Sequence, residues 1–180
     1  MNRPADAAAG AKSAPARIVV MGVAGSGKST VGEALAARLG ADFTDSDQLH
    51  PPANIQKMSN GIPLDDDDRR PWLDLVGATL AAASGTGKVV ACSALRRRYR
   101  DRIRLAAPDT VFVHLHGDRA LLAARLGARQ GHFMPASLLD SQLRSLEPLD
   151  DDEAGVVVEL GVPIDEVVDA ALAGLSGLRR

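Results

Sequence analysis

Residues 18–39 read Ile-Val-Val-Met-Gly-Val-Ala-Gly-Ser-Gly-Lys-Ser-Thr-Val-Gly-Glu-Ala-Leu-Ala-Ala-Arg-Leu. The apolar run Ile18 to Met21 has the composition of a buried strand, and Val31, Leu35 and Leu39 recur at helical spacing. Between them, Gly22, Val23, Ala24, Gly25, Ser26, Gly27, Lys28, Ser29 and Thr30 satisfy every fixed position of a phosphate-binding loop in its required strand-loop-helix context. The glycines let consecutive backbone N–H groups turn inward on a polyphosphate, and the helix opening at Lys28 aims its positive end there. Lys28 is placed to reach the β- and γ-phosphates. The Ser29 hydroxyl, one residue into the helix, is placed to coordinate magnesium. A dinucleotide-binding loop would require a third glycine at position 30, where Thr30 stands.

The chain has 180 residues, enough for one domain with a real core and at most an inserted subdomain. A net charge of -2 gives no reason to expect a nucleic-acid or membrane surface, and 3% aromatic residues leave few stacking platforms for single strands. One cysteine, Cys92, excludes an internal disulfide framework and a zinc-cysteine cluster, and suits a reducing compartment. Residues 1–16 are rich in Ala, Pro and Gly and lack the apolar segment of a leader, so a disordered tail is expected ahead of a single domain over 17–180. No apolar run approaches the ~20 residues of a membrane span.

After the first helix, Ala41 to Asp47 reads as a short strand ending in Asp45 and Asp47. At i, i+2 the two carboxylates would share a strand face at the edge where open α/β sheets hold ligands. One would support the magnesium shell and the other orient a substrate hydroxyl and accept its proton, although a turn cap is an alternative use of such residues. The proline-punctuated stretch from Leu49 to Leu64 looks like a substrate cover, with His50, Asn54 and Lys57 as polar candidates. Asp65 to Arg70 reads as an acidic helix start followed by pairing arginines, and Trp72 as an anchor onto the main body. Ser84 to Lys88 fails as a second phosphate loop, because Ala82 and Val89 stand where Gly and a hydroxyl are needed, and reads as a tight entry to a strand at Val89 to Cys92. Past that strand, Ser93 and then Arg96 and Arg97 are candidates for an anionic substrate, while Arg98, Arg102 and Arg104 read as solvated.

A fourth strand, Thr110 to Leu115, is followed by a helix ending in Arg125 and Arg129. These share a face at i, i+4, ahead of a glycine-flanked loop that can close on a nucleotide; a basic helix end complementing the dipole is the alternative. Ser137 to Leu146 resumes helix, Glu147 to Glu153 forms an acidic loop, Gly155 to Leu160 a fifth strand, and Pro163 opens a last helix. Alternating helices and buried strands predict a parallel, doubly wound α/β sheet.

Beyond the loop, the chain resembles bacterial-type gluconokinases, small P-loop kinases of the shikimate and adenylate kinase group. The resemblance rests on Asp45-x-Asp47-x-Leu49-His50-Pro51, Asn54-Ile55-x-Lys57-Met58, Asp66-x-Asp68-Arg69-x-Pro71-Trp72-Leu73, Cys92-Ser93-Ala94-Leu95 and Gly131-His132-Phe133 with Gln142 and Leu146-Glu147-Pro148. It implies a five-stranded parallel sheet with helices on both faces, a helical substrate-binding segment near 48–80 and a lid near 127–148. It further implies ATP with Mg2+, D-gluconate as acceptor, a cytoplasmic homodimer, Lys28, Asp47 and Arg129 as catalytic groups, and His132 beside His50, Lys57, Ser93 and Arg96 as substrate contacts. A shikimate-type or nucleoside monophosphate-type kinase, or a nucleotide-binding regulatory module, are the competing expectations.

Overall fold

The computed structural model describes residues 16–128 and 136–178. Strand β1 (Ala16–Met21) begins at the last residue of the segment expected to be a tail; residues 1–15 lie outside the described part. The chain continues through helix α1 (Lys28–Leu39), β2 (Asp42–Asp45), a 3-10 turn (Ser46–Leu49), α2 (Pro52–Ser59) and α3 (Asp66–Ala81). Then follow β3 (Gly87–Ala91), α4 (Arg97–Ala106), β4 (Val111–His116), α5 (Arg119–Gly127), α6 (Ala136–Ser145), β5 (Gly155–Glu159) and α7 (Ile164–Leu178). All strand pairs are parallel, in the order β2-β3-β1-β4-β5. From β1 the chain goes to the edge strand β2, returns to β3 between the two, and then crosses to β4 and β5 on the other side of β1. Such a reversal opens a crevice at the carboxyl ends of the strands, above β1.

The apolar run of β1 is continuous because both faces are covered. Ile18 and Val20 join a core with Val31 and Leu35 of α1 and Val167, Val168 and Ala171 of α7. Val19 and Met21 face the other way, into a core with Trp72, Leu73, Val76 and Leu80 of α3 and Tyr99 and Ile103 of α4. The acidic start of α3 is a reciprocal capping box: Asp65 accepts from the Asp68 N–H at 2.8 Å and the Asp68 carboxylate accepts from the Asp65 N–H at 3.0 Å. Arg70 pairs with Asp67 at 2.9 Å one turn on, as the sequence pattern predicts. Among the described residues no helix is long and apolar enough to cross a membrane.

A fully buried ion pair that spacing does not announce ties α4 to the segment before β5. The Arg100 guanidinium, with no exposed side-chain surface, forks onto Glu153 at 2.7 and 2.6 Å. Its remaining hydrogens donate to the carbonyls of Glu147 (3.0 Å), Pro148 (3.0 Å), Ala94 (3.3 Å) and Leu95 (3.4 Å). Ala94 has a φ of 42, in the left-handed region. The neighbouring Arg104 also reaches Glu153, at 2.8 Å. Burial alone would raise the Glu153 pKa, but the hydrogen bonds from Arg100, Arg104 and the Asp150 N–H outweigh it and pull it down to about 2.

Candidate active site

The phosphate loop sits in the crevice above β1. Gly27, the residue before α1, has a φ of 84, and Gly25 has a φ of 80 with a notional Cβ only 2.9 Å from the Leu122 carbonyl. A side chain at Gly25 would therefore meet both a strained backbone and α5. The loop is held from outside as well: the Ala24 N–H donates to the Gln142 side-chain oxygen of α6 at 2.6 Å. Lys28 Nζ donates to the Val23 carbonyl at 3.1 Å, folded back over the loop. In this way α6 reports on the loop, a link between residues far apart in the chain.

A cleft of about 620 Å³ opens in front of the loop and is lined by Lys28, Ser29, Asp45, Asp47, Ser93 and Arg125, among others. Six candidate residues from five separate segments are thus brought together. Beside it, Thr30, Arg125, Val162, Ile164 and Val167 line a smaller, mostly apolar cavity of about 230 Å³. Arg125 is half-buried and borders both spaces. Arg129 and His132 lie outside the described residues.

Asp45 and Asp47 differ from their expected arrangement. The strand ends at Asp45, whose Oδ1 accepts from the Asp47 N–H at 3.0 Å and caps the 3-10 turn, so the two do not share a strand face. A short acidic side chain competes successfully with the sheet for that backbone donor. Asp45 is also more than a cap, because its Oδ2 accepts from the Ser29 hydroxyl at 2.5 Å. Hard oxygen donors joined beside a polyphosphate cradle fit Mg2+, which binds through one or two protein oxygens, phosphates and water. Asp47 projects from the turn into the same cleft.

The turn that carries Asp47 is fixed from α3. Trp72, 4% exposed, donates its indole N–H to the Ser46 carbonyl at 2.7 Å. His50 stacks on the Trp72 ring at 4.4 Å between centroids, 13° from parallel. Burial lowers the His50 pKa, the Asp47 charge opposes that shift and the Arg69 charge adds to it. Asn54 bridges the layer, donating to the Asp68 carbonyl at 2.8 Å.

Other expected contacts fall elsewhere. Lys57 is not presented to the cleft: its ammonium is held by both Asp68 oxygens at 2.7 Å. Arg97, expected near an anionic substrate, is engaged by Asp101, Asp150 and Asp152 at 2.7–3.0 Å. Arg98, Arg102 and Arg104, expected to be solvated, pair with Asp66, Asp74 and Glu153 respectively. Apart from Asp101, which meets Arg97 and Arg104 at helical spacing, these acidic partners lie on other elements. Cys92 is buried, which pushes its thiol up to about 12 and removes it as a nucleophile. His114 is a buried core residue whose pKa falls to about 4, chiefly through burial.

A family of AAA domains matches residues 18–149. The chain is 52% identical over 141 residues to the gluconokinase of Gluconobacter oxydans (strain 621H), covering 77% of this chain and 79% of that protein. It is 43% identical over 157 residues to the thermoresistant gluconokinase of Escherichia coli (strain K12), covering 86% and 90%. The crystal structure of a gluconokinase from Sinorhizobium meliloti 1021 superimposes with a TM-score of 0.83 at 54% identity, over 91% of this chain and 93% of that one. With its phosphate loop, its acidic turn and this likeness over most of its length, the chain belongs to the gluconokinase family of P-loop kinases.

Proposed function

We propose that the protein transfers the γ-phosphoryl group of ATP to the 6-hydroxyl of D-gluconate. The observation that carries this reading is the joining of Lys28, Ser29, Asp45, Asp47 and Ser93 in one cleft. A phosphate cradle there faces carboxylates suited to an alcohol acceptor. The relatives named above supply gluconate as the acceptor to expect.

In this mechanism the amides of the loop and the N-terminus of α1 bind the polyphosphate, and the apolar cavity beside Val162 and Ile164 takes the adenine. Lys28 leaves the Val23 carbonyl for the β- and γ-phosphate oxygens, and Arg125, at the junction of the two spaces, adds charge on the nucleotide side. Mg2+, held through Ser29 and Asp45, neutralises phosphate charge when bound. Asp47 receives the acceptor hydroxyl, aligns it in line with the γ-phosphorus and takes its proton late, because little proton removal is needed in a loose transition state. Ser93, at the end of β3, bonds the acceptor's hydroxyls. The reading extends to a cytoplasmic homodimer, for which light scattering on the purified chain is the test.

Coupled ADP release with D-gluconate, shikimate and nucleoside monophosphates in parallel checks the acceptor. Gluconate-dependent release well above the others is expected, and none with gluconate would overturn the proposal. Asp47→Asn is expected to lower kcat about 100-fold while ATP affinity stays near that of the parent. Unchanged turnover with weakened ATP binding would move Asp47 to the metal site.

A further inference from the structure

Nine of the thirteen described arginines pair with carboxylates. Among the described residues, only Arg69, Arg96, Arg125 and Arg144 have no acidic group within 4.0 Å. Arg144 is exposed, and Arg125 borders the nucleotide side of the cleft. Arg69 and Arg96 are both half-buried, Arg69 in the first turns of α3 and Arg96 directly before α4.

The isolation of Arg69 is the more informative because it directly follows four consecutive aspartates. Asp65 caps α3, and Asp66 accepts from the Tyr99 hydroxyl at 2.6 Å and from Arg98 at 2.5 Å. Asp67 pairs with Arg70, and Asp68 gives both oxygens to Lys57. Each carboxylate is engaged and none serves Arg69. Its guanidinium lies over the Tyr99 ring at 5.8 Å, as does that of Arg98 at 5.5 Å, but only Arg98 is neutralised. A half-buried guanidinium without a carboxylate partner leaves hydrogen-bond donors and charge that an anionic ligand can meet.

Position agrees with such a ligand. Arg69 stands one turn before Trp72 on the buried row of α3, and Trp72 holds both His50 and the turn bearing Asp47. Arg96 follows Ser93 by three residues and immediately precedes α4. In an aldonic acid the carboxylate is at the far end of the carbon chain from the 6-hydroxyl. With that hydroxyl at Asp47, the carboxylate needs a cation away from the phosphate loop. Lys28 and Arg125 are on the wrong side, and Lys57 is occupied.

We propose that Arg69, seconded by Arg96, receives the carboxylate of the acceptor and sets the preference for an acid over a neutral polyol. The inference rests on the kinase reading above. Its test compares D-gluconate with D-glucitol, which keeps a terminal hydroxyl and lacks the charge. Arg69→Met is expected to raise the KM for gluconate about 30-fold, with kcat and the KM for ATP changed less than about threefold and the rate with glucitol equal to that of the parent. Arg96→Met is expected to raise the gluconate KM about fivefold. Arg69→Lys retains the charge without the planar fork, and is expected to fall between Arg69→Met and the parent.

A gluconate KM within twofold of the parent in Arg69→Met would overturn the proposal, as would an equal loss on gluconate and glucitol, the mark of a structural role. Should Arg69→Met fail to bind ATP, Arg69→Lys decides, and there an unchanged gluconate KM is the refuting result. A parent enzyme inactive on gluconate would remove the kinase reading itself, whereas an active parent with an insensitive Arg69 removes only this inference.

Discussion

Lys28→Ala is expected to cut kcat about 1000-fold, the cost of deleting one preorganised charge from the transferring phosphoryl group. The structure locates the loss in chemistry rather than folding. Lys28 is half-buried at the first turn of α1, and its ammonium reaches the backbone carbonyl of Val23 within the same loop. The glycines that shape the loop, the cap-region conformation of Gly27 and the Ala24 link to Gln142 are all independent of the lysine side chain. Thermal unfolding should therefore stay close to that of the parent while steady-state turnover collapses. Retention of kcat within tenfold would show that the loop does not act on the transferred phosphate.

Glu153→Gln should produce the largest change in stability, about 3–5 kcal/mol, by leaving the Arg100 guanidinium buried without its counter-ion. For a domain of this size that corresponds to a fall in Tm of about 10 °C or more. The carbonyls of Ala94, Leu95, Glu147 and Pro148 remain as acceptors, but they are dipoles and cannot replace a charge. Arg100→Met with Glu153→Leu removes both ions together and is expected to recover much of the loss. An unchanged Tm in Glu153→Gln would refute the account. The pair also sets an acid limit. The folded pKa of Glu153, about 2, lies below the ordinary glutamate value, so its stabilisation is complete above that ordinary value and is lost as pH falls toward 2. Urea denaturation at stepped pH should show a loss of stability across that window, reduced in Glu153→Gln.

The strands, the phosphate loop and the capped start of α3 are legible in sequence because each depends on residues a few positions apart. Gly25, Gly27, Lys28 and Ser29 act through local backbone geometry, and Asp65 meets Asp68 within one helical turn. The failures have a common cause. Arg97, Arg98 and Arg102 look solvated or available until their partners arrive from α3 and the loop before β5, and Lys57 looks available until α3 brings Asp68 to it. Gln142 appears in the family pattern, yet its contact with Ala24 across 118 positions is a tertiary fact. The shared strand face expected of Asp45 and Asp47 failed for a different reason: the turn cap, the alternative use of such residues, ends the strand at Asp45. Arg69 needed the complete set of pairings, because its distinction is the partner it lacks.

The stack of His50 on Trp72 also gives the protein an optical property. Trp72 is the sole tryptophan, so excitation of indole reports from one place, between the turn bearing Asp47 and the start of α3. An imidazole in face contact quenches indole emission most strongly when protonated, and a carboxylate ligand arriving nearby favours that protonated form. Titration of the unlabelled enzyme with acceptor can therefore be followed in its own fluorescence, separately from nucleotide binding at the far side of the cleft.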